Sequence, residues 1–169
     1  MSVKVLLLSI KPEYANQIFG GKKTVELRRI RTRLQQGDLV FVYVSSPQKS
    51  LMGWFEVDWI KTVYNLPKDL NDFWRVVGKY SGLKRPEFDR YYKGASVGIG
   101  IFIKNPQVLP KPVKLEELRM GLSESFHPPQ NYQYLKPDEI ECIETIAQYE
   151  FPCFKSKYKQ LNMNFDTVD

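Results

Sequence analysis

Residues 3–10, Val-Lys-Val-Leu-Leu-Leu-Ser-Ile, are a short, nearly unbroken apolar run that Lys11-Pro12 ends. A run of this length with β-branched residues reads as a strand buried on both faces, so the chain must lay cover on either side of it. Pro12 suits the first turn of a helix, Tyr14, Ala15, Ile18 and Phe19 recur at helical spacing, and Gly20-Gly21 supply the stop. From 22 to 30, Val25 and Leu27 alternate with Thr24, Glu26 and Arg28. A strand there puts the three polar side chains on one face and makes Glu26 and Arg28 ion-pair neighbours. A Gln35-Gln36-Gly37-Asp38 turn leads into another apolar strand, 39–44, which Ser45-Ser46-Pro47 ends.

Residues 51–63 set Phe55, Val57 and Trp59 against Glu56 and Asp58, a half-buried strand in which Gly53 marks a bulge or a close approach. Leu70, Phe73, Trp74, Val77 and Tyr80 share a helical face over 68–80, and a second short helix is expected over 86–92. In 96–103, Val97, Ile99, Ile101 and Ile103 alternate with Ser96, Gly98 and Gly100, so one strand face is nearly free of side chains and can admit a backbone or a ligand. Pro106, Pro110 and Pro112 then predict an extended connection. A helical turn at 115–118, extended backbone after Pro128-Pro129 and a helix over 139–148 follow, and the pattern fades past residue 150. These elements predict an α+β fold, a small mixed β-barrel with rim helices. The expected organisation is one domain over 1–150, with a helical insertion at 66–93, and a C-terminal tail over 151–169.

Length and composition agree with one globular domain: 169 residues, 43% hydrophobic and 26% charged. The net charge of +6 favours a polyanionic partner. One histidine, His127, and two cysteines, Cys142 and Cys153, are too few for a zinc site, so neither metal nor cofactor is expected. His127 lies in a Phe-His-Pro-Pro context with no nucleophile motif beside it. The longest apolar run, Val5 to Leu8, is far short of the ~20 residues of a membrane helix, which predicts a soluble, cytoplasmic protein with reduced cysteines and no membrane contact.

The densest polar constellation is Gly21-Lys22-Lys23-Thr24-Val25-Glu26-Leu27-Arg28-Arg29. It can line a polar pocket, or it can be a solvated strand face whose Glu26–Arg28 pair contributes about 0–1 kcal/mol. Ser9-Ile10-Lys11-Pro12-Glu13-Tyr14-Ala15, then Ile18, then Gly21-x-Lys23-x-x-Glu26-x-Arg28, resembles the signature of the ASCH domain in the PUA-like superfamily. The resemblance continues through Gly37-Asp38, Tyr43-Val44-Ser45-Ser46-Pro47, Gly53-x-Phe55-x-Val57, Phe88-Asp89-x-Tyr91-Tyr92-x-Gly94 and Pro128-Pro129-Gln130-x-Tyr132. It implies a PUA-like barrel with a cleft beside the helix that follows the first strand, and a partner that is RNA or a modified nucleotide, with DNA possible and a regulatory role in transcription or translation.

Such a cleft needs cations for phosphate, a carboxylate or amide for a base edge, and aromatic faces for stacking. Lys11, Lys22, Lys23, Arg28, Arg29, Arg31 and Arg33 are the basic candidates, Glu26 and Gln130 the base readers, Tyr43, Tyr132 and Tyr134 the aromatic ones, with Ser9 and Ser45 beside them. An alternative is a small hydrolase with a catalytic lysine in the same cleft. The resemblance to ASCH amidohydrolases that deacetylate a modified cytidine places Lys23 at their lysine; their threonine falls at Glu26, Thr24 lies two positions earlier on the same strand parity, and Glu56 matches their distant glutamate by strand order alone. For an ASCH ribonuclease, Lys23, Tyr43 and Ser45 would supply the analogous chemistry. The helices at 68–92 could also be read as a helix-turn-helix, but Phe88, Tyr91 and Tyr92 read as a packing face, which makes them a cap on the barrel.

Overall fold

The computed structural model describes residues 3–152. The order is β1 (Val5–Ile10), α1 (Pro12–Phe19), β2 (Val25–Arg28), β3 (Leu39–Val44), β4 (Ser50–Val63), α2 (Leu66–Val77), α3 (Arg85–Tyr92), β5 (Gly98–Lys114), α4 (Leu115–Gly121), β6 (Gln133–Tyr134) and α5 (Pro137–Ala147). The strands form a six-stranded sheet in the order β2-β5-β4-β3-β1-β6. β1 and β3 are parallel, with α1 and β2 in the connection between them; the other pairs are antiparallel. The sheet curls into a half-barrel, a PUA-like α+β fold with helices on its rim.

Strand alternation divides the core into three clusters. Leu6, Leu8, Ile10, Val40, Val42, Val44, Phe55, Ile99 and Ile101 face the concave interior, where Ala15 and Ile18 of α1 plug one end. On the opposite face, Val5, Leu7, Leu39, Phe41 and Tyr43 meet Leu118, Ile140 and Ile143 of α4 and α5. β1 is therefore covered on both sides, which is why its sequence shows no polar alternation. The third cluster joins Val25 and Leu27 of β2 to Phe73 and Val77 of α2 and to Phe88 and Tyr92 of α3. The paired helices turn their aromatic residues onto the barrel as a cap.

Three expectations change. The prolines at 106, 110 and 112 do not end β5, which continues to Lys114. They fall where the β4–β5 register shifts, between the Trp54↔Gln107 and Glu56↔Lys104 pairs and between Leu51↔Val113 and Gly53↔Val108, positions that ask for no ladder amide. The glycine face of β5 takes helix α2 and not a ligand: a Cβ on Gly98 would stand 2.7 Å from Phe73 Cε1, and one on Gly100 2.9 Å from Val77 Cγ1. Gly53 is a close approach, since its Cβ would meet the Phe19 ring at 2.6 Å. Of the tail expected over 151–169, residues from 153 on lie outside the described residues, whereas Phe151 is fully buried against Phe41 and Trp54.

Gly98→Val inserts a branched side chain into the Phe73 and Leu66 contacts. The expected loss is about 1–3 kcal/mol, read as a lower urea midpoint at unchanged m-value.

Candidate functional site

The segment after α1 folds back on the helix it leaves. Gly20 N–H donates to Asn16 O, and Lys22 and Lys23 N–H both donate to Gln17 O at 2.9 and 3.0 Å, so the turn caps the last carbonyls of α1. Gly21 takes φ +78°, a conformation suited to glycine. That turn places Lys23 ahead of the ladder that begins at Val25. Although its parity matches Val25, its amine reaches Glu26 across the strand face.

Glu26 and Arg28 project from the opposite side of β2 to Val25 and Leu27, toward the open end of the barrel. Lys23 Nζ lies 3.6 Å from Glu26 Oε2, and Arg28 Nε 3.2 Å from Glu26 Oε1. Lys23 is 3% and Glu26 7% exposed. Lys23 Nζ also donates to Ser81 O at 2.7 Å. The Ser81 hydroxyl in turn bonds Gly78 O, holding the bend between α2 and α3 in place. Arg28 donates from Nη2 to Ser9 O at 3.0 Å and from Nη1 to Asn131 O at 3.4 Å, which links β2 to the other end of the sheet. One buried carboxylate thus sits between two cations, each tied to a main-chain carbonyl from a different part of the fold.

These groups line a cavity of about 210 Å³ with Lys11, Tyr14, Leu83, Glu87 and Tyr91. Lys23 Nζ stands 5.5 Å from the Tyr14 ring centroid. Burial pushes the Lys23 pKa down and the Arg28 charge adds to this, while the Glu26 charge pulls it back up. Tyr14 is raised by burial and then by Glu13, Glu87 and Glu26; Tyr91 is raised by burial, against the opposing charge of Arg28. Both phenols are therefore neutral near pH 7. A second hollow of about 510 Å³ shares Arg28 and Tyr91 with the first and adds Arg29, Gln130, Asn131 and Tyr132. Among the described residues no group of three or more His, Cys, Asp or Glu is arranged to hold a metal, and no helix is long and apolar enough to cross a membrane.

Comparison with known proteins meets this geometry from another side. The ASCH domain profile matches residues 8–143. The chain belongs to the ASCH domain family. It is 27% identical over 144 residues to the ASCH domain-containing ribonuclease of Zymomonas mobilis, covering 85% of this chain and 93% of that one. Over 135 residues it is 24% identical to the large ribosomal subunit protein uL22 of Ureaplasma parvum, covering 80% of this chain and 40% of that protein. The crystal structure of ASCH from Zymomonas mobilis superposes with a TM-score of 0.76 at 25% identity, covering 85% of this chain and 95% of that one.

Within this ASCH domain the residues singled out from sequence separate into groups. Lys11, Lys23, Glu26 and Arg28 meet in the first cavity, and Arg29, Gln130 and Tyr132 in the second. Ser9 contributes its carbonyl; its parity puts the side chain on the face of Leu7. Lys22 is exposed on the turn, and Thr24 joins neither cavity, its N–H bonded to Tyr80 O. Tyr43 shares the parity of Leu39 and Phe41 and is buried on the helix-covered face of the sheet, away from Lys23. Ser45 is fixed by its N–H to Ile10 O and lines neither cavity. Glu56 lies beside Lys104 on β4, outside both. Of the catalytic alternative Lys23, Thr24 and Glu26, Lys23 and Glu26 line the cavity and Thr24 does not, while Tyr43, Ser45 and Glu56 all lie outside it, Tyr43 because β3 turns it to the opposite face. The solvated-face alternative for Glu26 fails as well, because the carboxylate is buried. Tyr14, Leu83, Glu87 and Tyr91 line the cavity and Ser81 accepts from Lys23 behind it, roles that the local sequence pattern does not mark.

Glu26→Gln leaves the buried Lys23 and the partly buried Arg28 facing each other without a counter-charge. We expect a loss of about 3–5 kcal/mol in chemical denaturation at neutral pH. A second outcome follows from the lowered Lys23 pKa. A lysine lowered in the folded state binds fewer protons there than in the unfolded state, so stability rises with pH between the folded and the ordinary value. Wild type should therefore gain on Lys23→Met across that alkaline window and run parallel to it below; urea midpoints taken at stepped pH would reveal parallel curves throughout if the amine were unperturbed.

Proposed function

We propose that this ASCH domain binds RNA, or a modified nucleotide within RNA, with one nucleotide held in the cavity over Lys23, Glu26 and Arg28. The observation that carries this reading is the convergence of the buried Lys23 and Glu26 and the partly buried Arg28 on an open cavity. Burying an ion pair costs desolvation that packing apolar residues there would avoid, so its retention points to a ligand that uses it. Lys11 and Arg28 supply positive charge for a phosphate, Glu26 an acceptor for a base edge, and Tyr14 and Tyr91 flat faces beside them. About 210 Å³ suits a single unstacked base and excludes a duplex. The net charge of +6 draws a polyanion to the surface. The relative named a ribonuclease makes RNA the first partner to try.

A second reading, strand cleavage in the same cavity, is favoured by one specific observation: the Lys23 amine lines the cavity, and burial lowers its pKa, which eases release of its proton. Against it, both oxygens of the Glu26 carboxylate are engaged, Oε2 by Lys23 and Oε1 by Arg28, so neither is open toward a substrate hydroxyl.

Fluorescence anisotropy with a labelled single-stranded RNA tests the binding reading. Lys23→Met should weaken binding at least tenfold at matched salt while the far-UV spectrum stays unchanged; equal affinity would defeat it. Chromatography of RNA after incubation separates the two readings, since the binding reading expects intact RNA and cleavage expects fragments that vanish in Lys23→Met.

A further inference from the structure

The loop between β2 and β3 holds three arginines at alternate positions, Arg29, Arg31 and Arg33. Each guanidinium sits over a tyrosine from a different part of the chain: Arg29 is 6.0 Å from the ring centroid of Tyr91, Arg31 5.2 Å from Tyr64 and Arg33 5.1 Å from Tyr134. The loop that carries them is itself pinned by phenol groups. Tyr92 donates to Arg28 O at 3.0 Å, Tyr132 donates to Arg31 O at 2.9 Å, and Arg33 N–H donates to the Tyr134 hydroxyl at 2.6 Å. Among the described residues none of the three arginines takes part in an ion pair. A solubilising charge run needs no such support, because free side chains in water serve it equally well. These charges are held in place and left unneutralised.

We propose that the arginine–tyrosine pairs form a track for the backbone of a single-stranded RNA that extends out of the cavity, so that the ligand is an oligonucleotide and not a free nucleotide. The proposal rests on the cavity reading above and adds a direction to it. The second hollow, which shares Arg28 and Tyr91 with the cavity and contains Arg29, is the first step along the way. Alternate residues of a chain lie at most about 7 Å apart, a stride comparable to that of successive phosphates in an extended strand. A guanidinium whose face is taken by a ring still presents its N–H edge, the part that bonds phosphate oxygens two at a time. Tyrosine and arginine planes next to those phosphates give unpaired bases a surface on which to stack without selecting sequence.

The test compares uridine 5′-monophosphate with a hexauridylate RNA and the DNA hexamer of matching sequence. Binding is followed by anisotropy and competition in wild type, R31Q/R33Q, R31K/R33K and K23M. In wild type the RNA hexamer should bind more tightly than the mononucleotide and than DNA. R31Q/R33Q should weaken the RNA hexamer about tenfold and flatten its log–log salt dependence by about 1.4, two phosphates at ~0.7 each. The mononucleotide affinity of that variant should be unchanged, and R31K/R33K should recover most of the hexamer affinity. A hexamer no tighter than the mononucleotide, a hexamer unaffected in R31Q/R33Q, equal binding of DNA, or an equal loss for both RNA ligands in R31Q/R33Q overturns the track. If K23M alone loses the hexamer, the cavity reading survives without the track; if wild type binds neither RNA ligand, both fall.

Discussion

The Glu26 carboxylate is the point on which this molecule turns. Four antiparallel strands, the parallel β1 beyond them and the two-residue β6 on its outer side leave β2 and β6 as free edges, which the curl brings near each other without backbone pairing between them. Glu26 holds Arg28 on one side, and Arg28 reaches Ser9 and Asn131 across the gap; on the other side it holds Lys23, which reaches Ser81 in the helical cap. Electrostatics therefore closes the end of the half-barrel that hydrogen bonding between strands leaves open. The same closure builds the cavity, because charges that meet across a seam leave space above them that apolar side chains would have filled.

Desolvation outweighs attraction for the amine at such a place. Lys23 is buried enough for its charged form to be disfavoured, yet Glu26 lies close enough to oppose that shift. Three ionic groups with three main-chain ties form a coupled unit in which removing one member exposes the others to an unbalanced environment. Such a unit is sensitive to an incoming anion, whose charge would relieve the excess cation and whose oxygens would compete for the same donors.

The fold was largely legible because each element declared its period: an apolar run for β1, helical spacing closed by Gly20-Gly21 for α1, and strict alternation for β2. The long β5 was underestimated since its prolines look like breakers until the bulges that accommodate them are seen. At the site, Glu26 and Arg28 could be read from parity. Lys23 has the opposite parity and arrives only through the turn that caps α1. Tyr43 is a cleft candidate in the sequence only as an aromatic ring and through the family resemblance; β3 is apolar on both faces, which removes the polarity signal that tells inside from outside. Tyr91 and Ser81 stand 63 and 55 residues after Arg28 and Glu26 in the chain. Local pattern marks Tyr91 as a packing residue and gives Ser81 no mark at all, since its contribution is a carbonyl.

Val63 and Gly98 are register partners, so everything from Tyr64 to Val97 is, topologically, one hairpin connection. That connection nevertheless supplies the Ser81 carbonyl and the Leu83, Glu87 and Tyr91 wall. The barrel and the ionic floor belong to the sheet, and the wall belongs to an insertion attached at two adjacent points. The wall can accordingly differ in length and side chains without any change of strand order, much as a lock is rekeyed without replacing the door.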